Sequence, residues 1–189
     1  MMKKLRQILL ASCMMAALAV AAEQPDPVVS SIQTAYRQAK ESSKKNKGMG
    51  NEMVTTINYT VRGNGTTTET IHFYFNTVQG TYLLNEGDDI DPHFFYYPLY
   101  LVTRSYNIGK KKYNEDYLFE PSSQRLLYVS TQDYDENGKR YERQFYFQDN
   151  SIYTVIGPEG ADSSMDEFIY YRAEDLRRGF DFLIRNPKE

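Results

Sequence analysis

The densest group of potential metal ligands in the sequence is an acidic segment that ends in a histidine. The group consists of Glu86, Asp88, Asp89, Asp91 and His93. Carboxylate oxygens are the ligands that Ca²⁺ prefers, and an imidazole combined with carboxylates can hold Zn²⁺. Asp88, Asp89 and Asp91 are therefore candidate metal ligands. Because spacing within a loop fixes no coordination geometry, we favour a solvated acidic loop over a metal site, and we expect no cofactor.

A second acidic segment resembles half of a calcium-binding loop. Residues 133–138 carry Asp, Asp and Asn at alternate positions, followed by Gly, which matches the first half of such a loop. The second half departs from the pattern, since Gln144 stands where a bidentate Glu is required and Arg140 replaces the usual apolar residue. A β-hairpin that turns at Asn137-Gly138 explains the same residues without an ion.

The aromatic segment 94–100 is the best candidate for a ligand surface. Successive residues of a strand face opposite sides of the sheet, so these aromatic side chains cannot all enter one core. Either the strand is covered on both sides, or part of the segment lines a binding surface. The candidate ligand-binding residues are Phe94, Phe95, Tyr96, Tyr97 and Tyr100, together with His93.

Familiar catalytic motifs are missing from the sequence. It contains no Gly-x-Ser-x-Gly elbow, no phosphate-binding loop, no His-Glu-x-x-His and no cysteine outside the first 22 residues. His72 alternates with Phe73 and Phe75, where a packed or solvated histidine is more usual than an acid–base catalyst. Paired carboxylates can still catalyse glycoside cleavage from scattered positions. A hydrolase that uses Asp88 or Asp91 with His93 is therefore the catalytic alternative.

Two helices are predicted from apolar spacing. Asp26-Pro27 is typical of a helix start, and the apolar residues that follow recur at helical intervals, which predicts a helix over 27–46. Near the C-terminus, the same periodicity predicts a helix over 174–185. Residues 166–172 fit either a last strand or an extension of that helix, because Phe168 to Tyr171 is apolar throughout and rich in β-formers.

Between the helices, alternating apolar and polar residues predict a run of strands joined by short turns. The expected strands are 53–61, 70–75, 99–106, 113–119, the two arms of a hairpin over 126–147, and 152–156, with a short one at 81–84. Turns this short leave no room for crossover helices, so the strands form an antiparallel meander. The fold class is α+β: an N-terminal helix, a mainly antiparallel meander of about seven strands, and a C-terminal helix packed on the sheet.

The two hairpins also predict strand register. A three-residue turn at 63–65 would set Ile57 opposite Ile71, which places an apolar residue against an apolar residue. A two-residue turn at Asn137-Gly138 would set Tyr128 opposite Phe147.

The N-terminus resembles a secretory signal peptide. A basic start over residues 1–6 precedes an apolar core over 8–19 and small residues at 20–22. The apolar run is shorter than the about 20 residues that span a bilayer, so cleavage after Ala22 is predicted and no transmembrane segment would remain. The protein is then periplasmic or extracellular. The alternative is a membrane-anchored lipoprotein, because Leu10-Ala11-Ser12-Cys13 resembles a lipoprotein box with Cys13 as the lipid-bearing residue.

The composition and net charge of the chain limit the classes of partner that it can be expected to bind. The full chain carries a net charge of −3, and loss of residues 1–22 would remove three basic residues and make it more negative. A clustered basic face, which nucleic-acid binding requires, is not expected from such a chain. After a tether at 23–26, residues 27–189 have the length of one domain.

These patterns favour a non-catalytic exported module that binds a small ligand or a partner through an aromatic sheet face. A curved sheet with both helices on one face would leave a concave pocket for an apolar or carbohydrate ligand. The alternatives are the extracytoplasmic hydrolase described above and a structural protein that interacts through an open sheet edge.

Overall fold

The computed structural model describes residues 26–46, 51–63, 65–81, 93–158 and 166–185. The chain divides into two compact units, Met1–Ser30 and Ser31–Glu189. In the first unit, the described residues begin helix α1: the Asp26 carboxylate accepts hydrogen bonds from the backbone N–H groups of Val28 (2.8 Å) and Val29 (3.3 Å). This is the N-cap that the sequence predicts, and it satisfies N–H groups that no helical carbonyl can reach.

The two described helices and the seven strands of the main sheet follow the predicted order. Of the short strand predicted at 81–84, Thr81 is the last residue of a strand that begins at Val78, and residues 82–84 lie outside the described residues. The described elements are α1 (Pro27–Asn46), β1 (Glu52–Val61), β2 (Gly65–Phe75), β3 (Val78–Thr81), β4 (His93–Tyr96), β5 (Leu99–Ile108), β6 (Lys111–Phe119), β7 (Leu126–Tyr134), β8 (Arg140–Gln148), β9 (Ser151–Ile156) and α2 (Asp166–Arg185). Seven strands form one antiparallel sheet in the order β1-β2-β5-β6-β7-β8-β9, and β3 pairs with β4 in a separate two-stranded ribbon. The predicted α+β fold with a seven-stranded meander is confirmed.

Residues 166–172 belong to helix α2, which settles the alternative that the sequence left open. Ile169, Ala173 and Phe180 are buried at helical spacing, whereas Phe168 and Tyr171 are exposed. Of the β-prone residues at the start of the segment, Ile169 and Tyr170 continue the packed face of the helix, so tertiary packing overrides their local preference.

The two helices cover opposite faces of the sheet. The Tyr36 and Lys40 side chains of α1 contact Asp116, whereas Arg172 of α2 contacts the neighbouring residue Glu115. Adjacent residues of a strand face opposite sides, so the expectation of both helices on one face is wrong. The reason lies in β6, where Tyr117, Leu118 and Phe119 are all buried without alternation, so both faces of the sheet need cover.

The register of the first hairpin differs from the prediction. Val61 pairs with Gly65, so Ile57 lies opposite Glu69 rather than Ile71. The connection is again three residues long but begins one position earlier, with left-handed φ angles at Gly63 (88°) and Gly65 (79°) that favour glycine. The difference is two residues, which keeps every side chain on its predicted face and changes the residue opposite Ile57 from Ile71 to Glu69.

In the second hairpin, Tyr128 lies opposite Tyr146, so the predicted pairing with Phe147 is wrong by one residue. The Gly138 N–H donates to the Asp135 carbonyl (2.9 Å), and the Lys139 N–H donates to the Asp135 carboxylate (2.8 Å). This side-chain bond supports a turn one residue longer than the predicted type I′ turn, with Gly138 at a φ of 77°. The Asp135 carboxylate thus stabilises the turn by accepting this backbone hydrogen bond.

Candidate functional site

The structure separates the aromatic candidates into two groups. Phe95 and Tyr96 lie on β4 with 57% and 47% of their surface exposed. Tyr97 packs edge-on against Phe75, with ring centroids 5.8 Å apart, and Tyr100 is only 6% exposed. The segment therefore contributes partly to the ribbon surface and partly to the interior.

The remaining predicted site residues carry less structural information. Asp88, Asp89 and Asp91 lie outside the described residues, as does the rest of the acidic loop. His93 and Phe94 have a described backbone in β4, where they pair with Thr81 and Gly80, but their side chains lie outside the described part. Among the described residues, no group of three or more His, Cys, Asp or Glu is placed to hold a metal ion.

His72 takes part in a polar contact at the sheet edge. Its Nδ1 lies 2.7 Å from the Glu52 carboxylate, and its ring stacks beside that of Tyr74. Burial, followed by the charge of Glu52, raises the pKa of Tyr74 to about 12. The Tyr74 hydroxyl therefore stays protonated at neutral pH and is a poor acid–base partner for His72.

A layer of tyrosines fills the space between α1 and its face of the sheet. The ring centroid of Tyr128 lies 4.7 Å from that of Tyr36 and 5.2 Å from that of Tyr146. The Tyr36 hydroxyl donates to Asp116, and Gln33 donates to the Tyr146 hydroxyl at 2.9 Å. Burial, supported by Asp116, raises the pKa of Tyr36 far above its ordinary value. The layer is therefore neutral and hydrogen-bonded, as buried tyrosines need to be.

Beside this layer is a cleft of about 370 Å³ between α1 and the sheet. On the helix side it is lined by Ala35, Gln38, Ala39 and Ser42, and on the sheet side by Tyr100, Leu118, Phe119 and Leu127, with Asn76, Glu120 and Pro121 completing it. The cleft exists because α1 presents small side chains where the sheet presents large ones. Of the sequence-predicted ligand residues, Tyr100 lines it.

Two β-bulges direct side chains into this cleft. Tyr74 and Phe75 of β2 pair with Leu101 and Leu99 of β5, so Tyr100 is one extra residue on β5, at a β-bulge. In β7, Leu118 and Phe119 of β6 pair with Tyr128 and Leu126, so Leu127 is extra in the same way. Bulges re-aim side chains and are frequent beside binding sites. Here one bulge on each side of β6 delivers its extra residue to one cleft.

The loop at the edge of the cleft is held by Gln124. Its side-chain amide accepts from the Leu99 N–H (3.2 Å) and donates to the carbonyls of Leu99 (3.1 Å) and Pro121 (2.9 Å). Gln124 has a left-handed φ of 58°, which costs a non-glycine residue roughly 1–2 kcal/mol. These bonds offset that cost and fix Pro121 relative to β5, so the wall of the cleft is preorganised.

The opposite face of the sheet contains a buried cluster of charges that the sequence analysis missed. The Arg104 guanidinium makes two contacts to the Glu69 carboxylate (2.6 and 3.1 Å) and one to Glu115 (2.9 Å). Glu115 also accepts hydrogen bonds from Arg172 (2.6 Å), Tyr106 (3.0 Å) and Tyr117 (2.5 Å).

The protonation state of Glu115 follows from these contacts. Burial by itself raises the pKa of this carboxyl, but the charges of Arg172 and Arg104 and the hydrogen bond from Tyr117 outweigh burial and hold the pKa below its ordinary value. The cluster therefore balances two carboxylates against two guanidinium groups, with Glu115 buried at its centre and Arg172 partly exposed.

The sequence contains a signal for the charged cluster and another for the cleft beside α1. Arg104 and Glu115 each lie two residues from a buried residue of the same strand, Val102 and Tyr117, and so share its face of the sheet. A charge on the inward side of a strand indicates a buried partner. Ala35 and Ala39 place small residues on the apolar stripe of α1, which indicates space next to the helix. Neither pattern identifies the partner across the space, because that depends on strand order.

No protein-family model matches this chain, and no curated protein or solved structure is significantly similar to it. Among the described helices, none has the length and apolar character needed to cross a bilayer.

Proposed function

We propose that this protein is an exported, non-catalytic module that binds a small, mainly apolar ligand in the cleft between α1 and the aromatic face of the sheet. The observation that carries this proposal is the pair of β-bulges that turn Tyr100 and Leu127 into the same space. A volume of about 370 Å³ falls within the range of small-molecule sites, which are mostly apolar clefts with a few polar groups.

The lining favours an uncharged ligand. The exposed polar residues Gln38, Ser42 and Asn76 offer neutral hydrogen-bonding groups. The carboxylate of Glu120 is engaged by Ser123 and by Arg125, with which it forms a 3.1 Å contact. A charged ligand group would therefore lose its hydration without an opposite charge in return. A compound with an apolar body and a hydroxyl or carbonyl group matches this surface.

An apolar ligand is favoured over a carbohydrate. Sugars bind by stacking on open aromatic faces, but Tyr100 is only 6% exposed and Phe119 only 1%. These buried rings form the apolar bottom of the cleft and present no open face on which a sugar ring could stack. Glu120 is the one carboxylate among the described lining residues, so no carboxylate pair for glycoside cleavage is assembled there by the described part of the chain.

Filling the cleft is expected to weaken ligand binding. Ala35→Phe places a ring in the space opposite Tyr100, and we expect it to weaken a neutral apolar ligand at least about tenfold, or about 1.4 kcal/mol. The measurement is the ligand-induced rise in melting temperature over a panel of neutral lipids and glycans. Ser31→Phe adds the same ring at an exposed position of α1 and serves as the control. Equal shifts for Ala35→Phe and the wild-type protein would exclude this cleft as the site.

Export is part of the same proposal and has its own test. If residues 1–22 are a signal peptide, the protein recovered from the extracytoplasmic fraction of its host begins at Glu23, as intact-mass measurement would show. A product that begins at a lipid-modified Cys13 supports the lipoprotein alternative, and Cys13→Ala would then release it from the membrane. Unprocessed chain confined to the cytoplasm contradicts export.

A further inference from the structure

A second cleft lies on the opposite face of the sheet, against α2. It has a volume of about 280 Å³. Ile57, Leu176 and Leu183 contribute to its apolar wall, and Glu69, Arg104 and Arg172 form a charged end. These last three residues belong to the charged cluster described above. The cleft therefore has apolar walls and, at one end, charged side chains that their mutual contacts hold in place.

The charged end presents hydrogen-bond donors. Both oxygens of Glu69 and both oxygens of Glu115 already accept bonds from Arg104, Arg172 or the neighbouring tyrosines. Arg172, by contrast, donates to Glu115 through its Nη1 nitrogen, and a third of its side chain is exposed. A guanidinium has five N–H groups. At the charged end, the two glutamates are therefore already engaged, whereas Arg172 keeps donor capacity for a ligand.

Gly179 provides independent evidence that the cleft is kept open. It lies inside α2, and a glycine in the interior of a helix makes that helix less stable than an alanine would, by about 1 kcal/mol. A Cβ atom at this position would meet nothing within 4 Å, and Gly179 is not among the glycines with a positive φ. Neither packing nor backbone conformation requires glycine here, but the residue lines the cleft and any side chain would occupy its space.

From these observations we infer that the second cleft binds a small apolar monocarboxylate, with its carboxylate on Arg172 and its apolar body along Ile57, Leu176 and Leu183. Arginine binds carboxylates through paired N–H groups, and such charge-assisted bonds are among the strongest. A volume of about 280 Å³ equals that of about nine waters at roughly 30 Å³ each, which suits a ligand of about ten non-hydrogen atoms. Asp175 also lines the cleft but is exposed, so solvent screens its repulsion of the ligand.

The test compares octanoate with 1-octanol, which share one chain length and differ in charge. By calorimetric titration of the full chain, octanoate is expected to bind at least tenfold more tightly than 1-octanol. Arg172→Gln is expected to remove that preference. Gly179→Leu fills the cleft and is expected to weaken octanoate at least tenfold while leaving the melting temperature unchanged or higher. Tyr171→Leu, at an exposed position of the same helix, is the control and is expected to bind as the wild type does.

The outcomes are distinguishable from those for the first cleft. Ala35→Phe lies on the other side of the sheet and is expected to leave octanoate binding intact. Absence of octanoate binding, equal affinity for the two probes, or unchanged binding in Gly179→Leu would each overturn the inference. The melting temperature of Gly179→Leu shows that this variant is folded, so a binding loss in it reports on the cleft even if Arg172→Gln fails to fold.

Discussion

Replacing Glu115 with glutamine is expected to destabilise the protein by about 3–5 kcal/mol, the cost of removing one partner from a buried ion pair. Glu115 is 4% exposed and accepts hydrogen bonds from Arg104, Arg172, Tyr106 and Tyr117. A neutral amide leaves both guanidinium groups without their shared negative charge and places an N–H₂ group against donors. Urea unfolding measures the loss.

The matched control for this substitution is Glu136→Gln, which makes the same chemical change at an exposed turn position. It is expected to change the free energy of unfolding by no more than about 0.5 kcal/mol. A loss of less than 1 kcal/mol in Glu115→Gln would show that Glu115 is not the buried, multiply hydrogen-bonded carboxylate described above.

The pH dependence of the free energy of unfolding provides a second test of the role of Glu115. Because its pKa is lower in the folded protein than in the unfolded chain, its contribution is fully present above the unfolded pKa, roughly 4.3, and is lost as the pH falls through the folded value. Stability of the wild-type protein is therefore expected to fall as the pH is lowered below about 4. Glu115→Gln cannot titrate, so its stability is expected to fall less steeply over the same range.

Phe180→Ala is the second substitution with a large expected effect, a loss of about 3–5 kcal/mol. Phe180 is fully buried, with its ring centroid 5.6 Å from that of Phe73 and 5.3 Å from that of Phe75. Truncation leaves a cavity between α2 and β2 and removes those aromatic contacts. Thermal or urea unfolding measures the change.

Phe182→Ala is the matched control on the same helix. Phe182 is 68% exposed, so its truncation is expected to cost about 0.5 kcal/mol or less. Similar losses for the two variants would contradict the observed orientation of α2 on the sheet.

The architecture was predictable because its signals are local. Alternation over β1, β5 and β6 identified strands without any knowledge of their partners, and Asp26-Pro27 identified the start of α1. Register was harder, since it depends on turn geometry. In the second hairpin, a bond from Lys139 to the Asp135 side chain lengthens the turn by one residue and moves Tyr146 opposite Tyr128.

The binding features could not be predicted because they arise from contacts between distant segments. Glu69, Arg104, Glu115 and Arg172 come from three strands and a helix, and only the strand order brings them together. The bulges at Tyr100 and Leu127 are mismatches between paired strands, which one strand's own sequence does not reveal. The aromatic segment indicated Tyr100, but the cleft that it lines depends on Ala35 and Ala39, about sixty residues earlier.

Native mass spectrometry of the protein purified from its own host tests small-ligand binding most directly. We expect the wild-type protein to carry a mass excess from a neutral small molecule, and we expect that mass excess to be lost in Ala35→Phe produced in the same host. An apo mass for the wild-type protein, together with no rise in melting temperature on the panel of neutral lipids and glycans, would contradict the proposed function.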